Sequence, residues 1–147
     1  MKLSSQRGKK GKRSRATART AKPVAPEKNV KPVAPSFVVG LGASAGGLEA
    51  LESFFDAMPS DSGMAFVVIQ HLSPTHKSMM PELLSRHTPM PVCQAEDGAR
   101  AEPNHVYLIP PKKCLTIFKG KLLLTEWDSK AGPNLPVDAF FASLARD

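Results

Sequence analysis

The sequence predicts an α/β domain, a doubly wound, Rossmann-like parallel sheet with a small β-hairpin excursion, preceded by a basic tail. Three observations lead there. "SFVVGLG" and "MAFVVIQ" are nearly continuous apolar runs of strand length, as expected of strands buried on both faces of a parallel sheet. Each is followed by a helical pattern, and strand–helix–strand order implies parallel neighbours joined by a right-handed crossover. A final helical pattern, "VDAFFASLARD", follows a set of short β-type runs.

The elements follow in order. Residues 1–35 hold eleven Lys and Arg against the single acid Glu27, so the tail carries +10 of a chain whose net charge is +7, and the remaining residues carry −3. The tail has almost no apolar side chains with which to offset the entropy of ordering, so disorder is expected. "KPVAP" recurs at 22–26 and 31–35, a proline spacing that favours an extended linker. Such a tail has the charge to touch nucleic acid, anionic lipid or an acidic partner. No aromatics interleave its charges, so nucleic acid is not the expected partner, and a solvated leader is the plainer reading.

The domain is expected over 36–147. Leu48, Leu51, Phe54 and Phe55 fall at helical spacing, which predicts an amphipathic helix over 46–57, ended by Pro59 and "SDSG". "THKSMMPELLSRH" predicts a second helix, with Pro81 beginning or kinking its main part. Near Pro91 the texture changes. "MPVCQA", "HVYLIPP", "CLTIFKG" and "KLLLTEW" read as short strands, the last two as a hairpin turning at Lys119 and Gly120, with Trp127 packed beneath it. The last helix is expected to start near Pro136 and to place Val137, Phe140, Phe141 and Leu144 on one face.

No apolar run approaches a membrane span and no secretory leader is evident, so no membrane insertion and a cytoplasmic location are expected. Cys93 and Cys114 read as reduced packing residues, and Met79, Met80 and Met90 as core or groove residues. His71 and His76 lack helical zinc spacing, and His105 has no evident partner, so no metal and no cofactor are expected.

The chemistry concentrates where the first strand ends. "GLGASA", Gly40 to Ala45, satisfies the degenerate dinucleotide fingerprint G-x-G-x-x-G/A between a strand and a helix. That reading wants an acid at the end of the second strand, where this chain has Gln70 and His71 instead. "GASAG", Gly42 to Gly46, equally satisfies G-x-S-x-G, the elbow that exposes a serine nucleophile above a sheet. Here Ser44 is the candidate nucleophile, and the helix N-terminus supplies free N–H groups for an oxyanion, with Ala45 and Gly46 the nearest. His71, at the carboxyl end of the neighbouring strand, is the candidate general base. It follows Ser44 too closely for the Ser–acid–His order of α/β-hydrolases.

With "GLGASAGGLEAL", "QHLSPTHKSMMPELLSRHT", "AEDG", "EPNHVYLIPP" and "LPVDAFFASLARD" in order, the sequence resembles the catalytic domain of CheB-type chemotaxis receptor methylesterases, most closely the type fused to a CheR-type methyltransferase. The resemblance covers nearly everything after Pro35. It implies hydrolysis of glutamyl methyl esters on the cytoplasmic helices of chemoreceptors, with deamidation of glutamine by some members, Ser44 as nucleophile and His71 as base. It also implies a triad aspartate in a glycine-flanked turn after a further strand, which Asp147 precedes; Asp138 reads as a helix-capping or pocket residue, not that acid. The C-terminal part of the domain is therefore expected to lie outside this chain, leaving it poorly stable and nearly inactive alone. The resemblance implies a receiver domain ahead of this domain in stand-alone members, where the sequence reads only as the basic tail, so aspartyl phosphorylation within the chain is not expected to control it. The rival reading is a catalytically inactive signalling or binding module.

Overall fold

A computed structural model describes residues 33–44, 46–70, 79–127 and 135–147. Two units separate in it, Met1–Val30 and Lys31–Asp147, and every described residue belongs to the second. The expected basic tail, through residue 32, lies outside the described residues.

Four strands form one parallel sheet in the order β1-β2-β4-β3, with β1 Val38–Ala43, β2 Ala65–Gln70, β3 Val92–Gln94 and β4 His105–Leu108. Its inner strand β2 alternates between two cores. Phe66 and Val68 face helices α1 (Leu48–Ala57) and α2 (Met80–Leu84), joined by Leu51, Phe55, Leu84 and Met90. Ala65, Val67 and Ile69 face the other layer, made of the antiparallel hairpin β5 (Lys113–Phe118) and β6 (Lys121–Glu126) together with α3 (Pro136–Leu144). Burial on both faces is why β2 reads as an unbroken apolar run. Phe55, Phe66 and Phe140 are fully buried, and each contributes on the order of 2–3 kcal/mol relative to an exposed ring.

Two parts of the sequence reading change. The four β-type runs after Pro91 do not form one excursion, since β3 and β4 extend the parallel sheet and only β5–β6 leave it. The first helix starts at Leu48, because Gly46 and Gly47 are taken up in a turn in which the Gly47 N–H donates to the Ser44 carbonyl at 2.9 Å. Pro81 stands in the first turn of α2, where its missing N–H costs nothing; residues 75–78 of the expected second helix lie outside the described residues.

The hairpin turns at Lys119 and Gly120, both left-handed with φ of 50° and 67°. That is the two-residue geometry whose twist matches the flanking strands. Trp127 is exposed instead of packed beneath the hairpin. Met80 and Met90 are core residues, whereas Met79 is exposed. α3 docks through apolar and polar contacts together. Phe140 is buried, and Ser143 Oγ accepts the Ile117 N–H at 3.0 Å while donating to the Phe140 carbonyl at 2.7 Å. Asp138 is exposed in the first turn of α3 and makes no capping hydrogen bond, so the capping role expected of it is not seen.

Candidate active site

The elbow is built from small residues for reasons that the structure separates one by one. A β-carbon on Gly40 would lie 3.1–3.3 Å from Phe140, Leu144 and Phe141, and one on Gly42 would lie 2.8 Å from Val137 Cγ1. These two glycines seat α3 against β1. They are the first two glycines of the dinucleotide fingerprint, and the space a β-carbon would take at each is filled by a helix of the same chain. A β-carbon on Gly47 would meet Ala43 Cβ at 2.8 Å, so this glycine lets α1 begin close beside the strand. Gly46 differs from all three. A β-carbon there meets nothing within 4 Å among the described residues.

Ser44 is the first residue past β1 and is exposed. It lines a cavity of about 510 Å³ with Gly42, Ala43, Gly46, Leu51 and Phe54. The cavity is therefore apolar along α1 and carries a hydroxyl and backbone groups at the elbow. The last registered pair of β1 and β2 is Ala43 with Gln70. The chain thus runs into Ser44 from one strand and into His71 from its neighbour, at one edge, with strands spaced about 4.8 Å apart. His71 itself and Ala45 lie outside the described residues.

Gln70, noted in the sequence only as standing where an acid was wanted, closes the site edge. Among the described residues its Oε1 is shielded from solvent and has no hydrogen-bond partner. The signal was available, since a strand reading "AFVVI" ends on a carboxamide where another apolar residue would cost less.

The other chemically interesting residues lie apart from the elbow. His87 joins α1 to the end of α2, its Nδ1 lying 3.0–3.1 Å from the Asp56 carboxylate and its Nε2 3.5 Å from Glu52 Oε1. His105, expected to lack a partner, donates Nδ1–H to the Pro103 carbonyl at 2.9 Å and stacks on Tyr107. Cys93, Glu96, Glu102 and Tyr107 line a second cavity of about 360 Å³ beside β3 and β4. Partial desolvation, then the Glu96 and Glu102 charges, push the Cys93 thiol above its ordinary range, and desolvation likewise raises the Tyr107 hydroxyl. Both cysteines are free, but Cys93 is exposed and so is not the packing residue expected. Among the described residues no three His, Cys, Asp or Glu side chains converge to hold a metal ion, and no helix is long and apolar enough to cross a membrane.

Comparison with known proteins accounts for this arrangement. The CheB methylesterase family model matches residues 39–147. The chain belongs to the CheB methylesterase family. A protein-glutamate methylesterase/protein-glutamine glutaminase 2 from Xanthomonas oryzae pv. oryzae (strain MAFF 311018) is 42% identical over 115 residues, covering 74% of this chain and 31% of the relative. The protein of the same description from Shewanella sp. (strain MR-4) is 35% identical over 138 residues, covering 88% of this chain and 39% of the relative. Among solved structures, the Thermotoga maritima CheB methylesterase catalytic domain superposes with a TM-score of 0.63 at 28% identity, covering 78% of this chain and 62% of that one. The chain therefore spans about a third of the length of these curated relatives and part of the CheB catalytic domain. That superposition carries the parallel α/β fold and, with the family match, places the glycine-lined elbow of β1 and α1 within a CheB-type domain.

Proposed function

We propose that this chain carries the nucleophile-bearing part of a protein-glutamate methylesterase, acting on glutamyl methyl esters of chemoreceptor cytoplasmic helices and, by the same chemistry, on glutamine carboxamides. The observation that carries the reading is the exposed Ser44 at the strand–helix turn, opening on a cavity and standing beside the chain that enters His71, in a member of the CheB methylesterase family.

In the proposed reaction, Ser44 Oγ attacks the ester carbonyl carbon as the His71 imidazole takes the hydroxyl proton. The oxyanion is held by backbone N–H groups of Ala45 and Gly46, ahead of α1. Collapse breaks the bond to methoxide, which leaves as methanol with the proton returned by His71, and the glutamyl group stays on Ser44. Water then attacks, gives a proton to His71, and releases the glutamate carboxylate with the Ser44 hydroxyl restored. A carboxamide substrate differs only in releasing ammonia. Gly46 fits its role because, among the described residues, nothing stands within 4 Å of where its β-carbon would lie.

The carboxylate that orients the imidazole is proposed to come from the part of the CheB domain that this chain does not span, in a cytoplasmic protein that also includes a CheR-type methyltransferase domain. Losing such an acid costs other serine hydrolases on the order of 10⁴ in turnover, so the test reads the nucleophile directly. Treatment with a fluorophosphonate probe followed by peptide mapping is expected to label Ser44, with labelling lost in Ser44→Ala and reduced at least about 100-fold in His71→Ala. Labelling elsewhere in the folded chain, or no labelling of Ser44 in a longer protein that carries the orienting carboxylate, overturns the assignment of Ser44 and favours a non-catalytic binding module.

A further inference from the structure

We propose that the tip of the β5–β6 hairpin docks on an anionic lipid surface. Along the hairpin, Leu115, Ile117 and Leu122 point into the core, so the residues alternating with them point outward. At the tip the outward row consists of Phe118, its cross-strand partner Lys121, and Arg100, which bridges antiparallel to Lys121 from the next segment. All three are exposed, Phe118 at 59%. Lys119, at the turn itself, places its ammonium over the Phe118 ring at 5.3 Å from the centroid. One exposed aromatic ring thus stands among three cations drawn from two stretches of chain, and among the described residues none of the three is paired with a carboxylate.

The tip is held rigidly. The Ala101 N–H donates to the Gly120 carbonyl at 3.0 Å, the Leu122 N–H to the Ala99 carbonyl at 2.8 Å, and the Gly120 N–H to the Asp147 carboxylate at 3.1 Å. The Phe118 ring is exposed beside the two-residue turn of the hairpin, whereas Phe140 is buried. A ring at the tip of a fixed hairpin is placed to meet a planar surface. Such a surface must be apolar just below a layer of negative charge, and an anionic bilayer has that layering. The ring enters at headgroup depth while the lysine stems extend along it and keep their charges at the phosphates. Each basic residue near such a surface strengthens attraction roughly fivefold. A nucleic acid fits less well, because the Phe118 ring is already covered on one face by Lys119 and no second aromatic stands at the tip to continue a stack. The contact is interfacial, so the sequence argument against a spanning helix does not bear on it.

The basic tail alone would hold the chain near anionic vesicles, so the experiment must report on the tip. Phe118→Trp in a Trp127→Phe background leaves one indole in the full chain, since the sequence has a single Trp. With vesicles of phosphatidylcholine and phosphatidylglycerol in equal parts, the expected result is a blue-shifted emission quenched by bromine-labelled acyl chains; phosphatidylcholine alone produces neither. Lys119→Gln with Lys121→Gln is expected to raise the lipid concentration at half-maximal shift about thirty-fold. Arg100→Gln with Lys121→Gln, which leaves the turn residues intact, is expected to do the same if far-UV circular dichroism shows the first pair unfolded. Sedimentation with vesicles without a blue shift means that the tail binds alone and overturns the proposal. So does a shift insensitive to both charge-neutralised pairs, or an emission change produced by a single-stranded oligonucleotide and not by vesicles.

Discussion

Gly42→Ala adds one carbon at the point where β1 and α3 come closest. Its β-carbon would stand 2.8 Å from Val137 Cγ1, against about 3.5–4.0 Å for a comfortable carbon–carbon contact. Gly42 is not in the left-handed region, so the backbone accepts alanine without strain. In a strand interior that replacement by itself gains about 0.5–1 kcal/mol. The overlap works against this gain. Valine is stiff about χ1 and cannot swing its methyl aside cheaply, so α3 has to shift from β1, and overpacking of this kind costs about 1–3 kcal/mol. The net expectation is a loss of about 1–2 kcal/mol. Val137→Ala alone, trimming a half-buried side chain, is expected to cost about 1 kcal/mol. Made together, the two should cost little more than Val137→Ala, giving a coupling of about 1 kcal/mol or more in urea unfolding followed by circular dichroism. A neutral Gly42→Ala, or a coupling below ~0.3 kcal/mol, the ordinary scatter of additivity, would refute the reading that this glycine exists to seat α3.

Gly46→Ala is the matching control: with nothing among the described residues within 4 Å of the new carbon, stability is expected to stay within about 0.5 kcal/mol, while fluorophosphonate labelling of Ser44 slows because the carbon occupies space at the elbow. Asn104 holds φ at 60° and accepts the Gly63 N–H at 2.7 Å through Oδ1; Asn104→Ala is expected to lose about 2 kcal/mol in thermal or urea unfolding, and Asn104→Gly less, because only the hydrogen bond is then removed. His87→Ala removes the clasp to Asp56 and Glu52, whose side chains are 60% and 25% exposed, so a loss of no more than about 1 kcal/mol that shrinks with added salt is expected in urea unfolding. Since the fold pushes the Cys93 thiol and the Tyr107 hydroxyl up from their ordinary ranges, making both weaker acids, the unfolded chain releases those protons first as pH climbs. Stability is therefore unaffected by them at neutral pH and falls through the alkaline range, which urea titrations at stepped pH check against Cys93→Ser with Tyr107→Phe.

What the sequence made legible follows the range over which each signal acts. Burial on both faces stamps β2 as an apolar run, and the left-handed pair Lys119–Gly120 marks its hairpin within a few residues. Those features are local, and their positions could be read directly. The placement of β3 and β4 could not, because a three-residue strand such as Val92–Gln94 carries the same apolar texture whether it joins the parallel sheet or leaves it. The elbow shows the same limit at the site itself. Within "GLGASAGG" all the glycines look alike, and both the phosphate-binding and the serine-elbow patterns accept them. They divide only through distant neighbours, since Gly40 and Gly42 answer to Phe140 and Val137 on α3, Gly47 answers to the strand it leaves, and Gly46 meets no neighbour among the described residues. Gly46 and Ser44 share the cavity beside α1. Packing among the described residues thus explains Gly40, Gly42 and Gly47, the part of the motif that builds the domain, and leaves Gly46 as the part it does not explain.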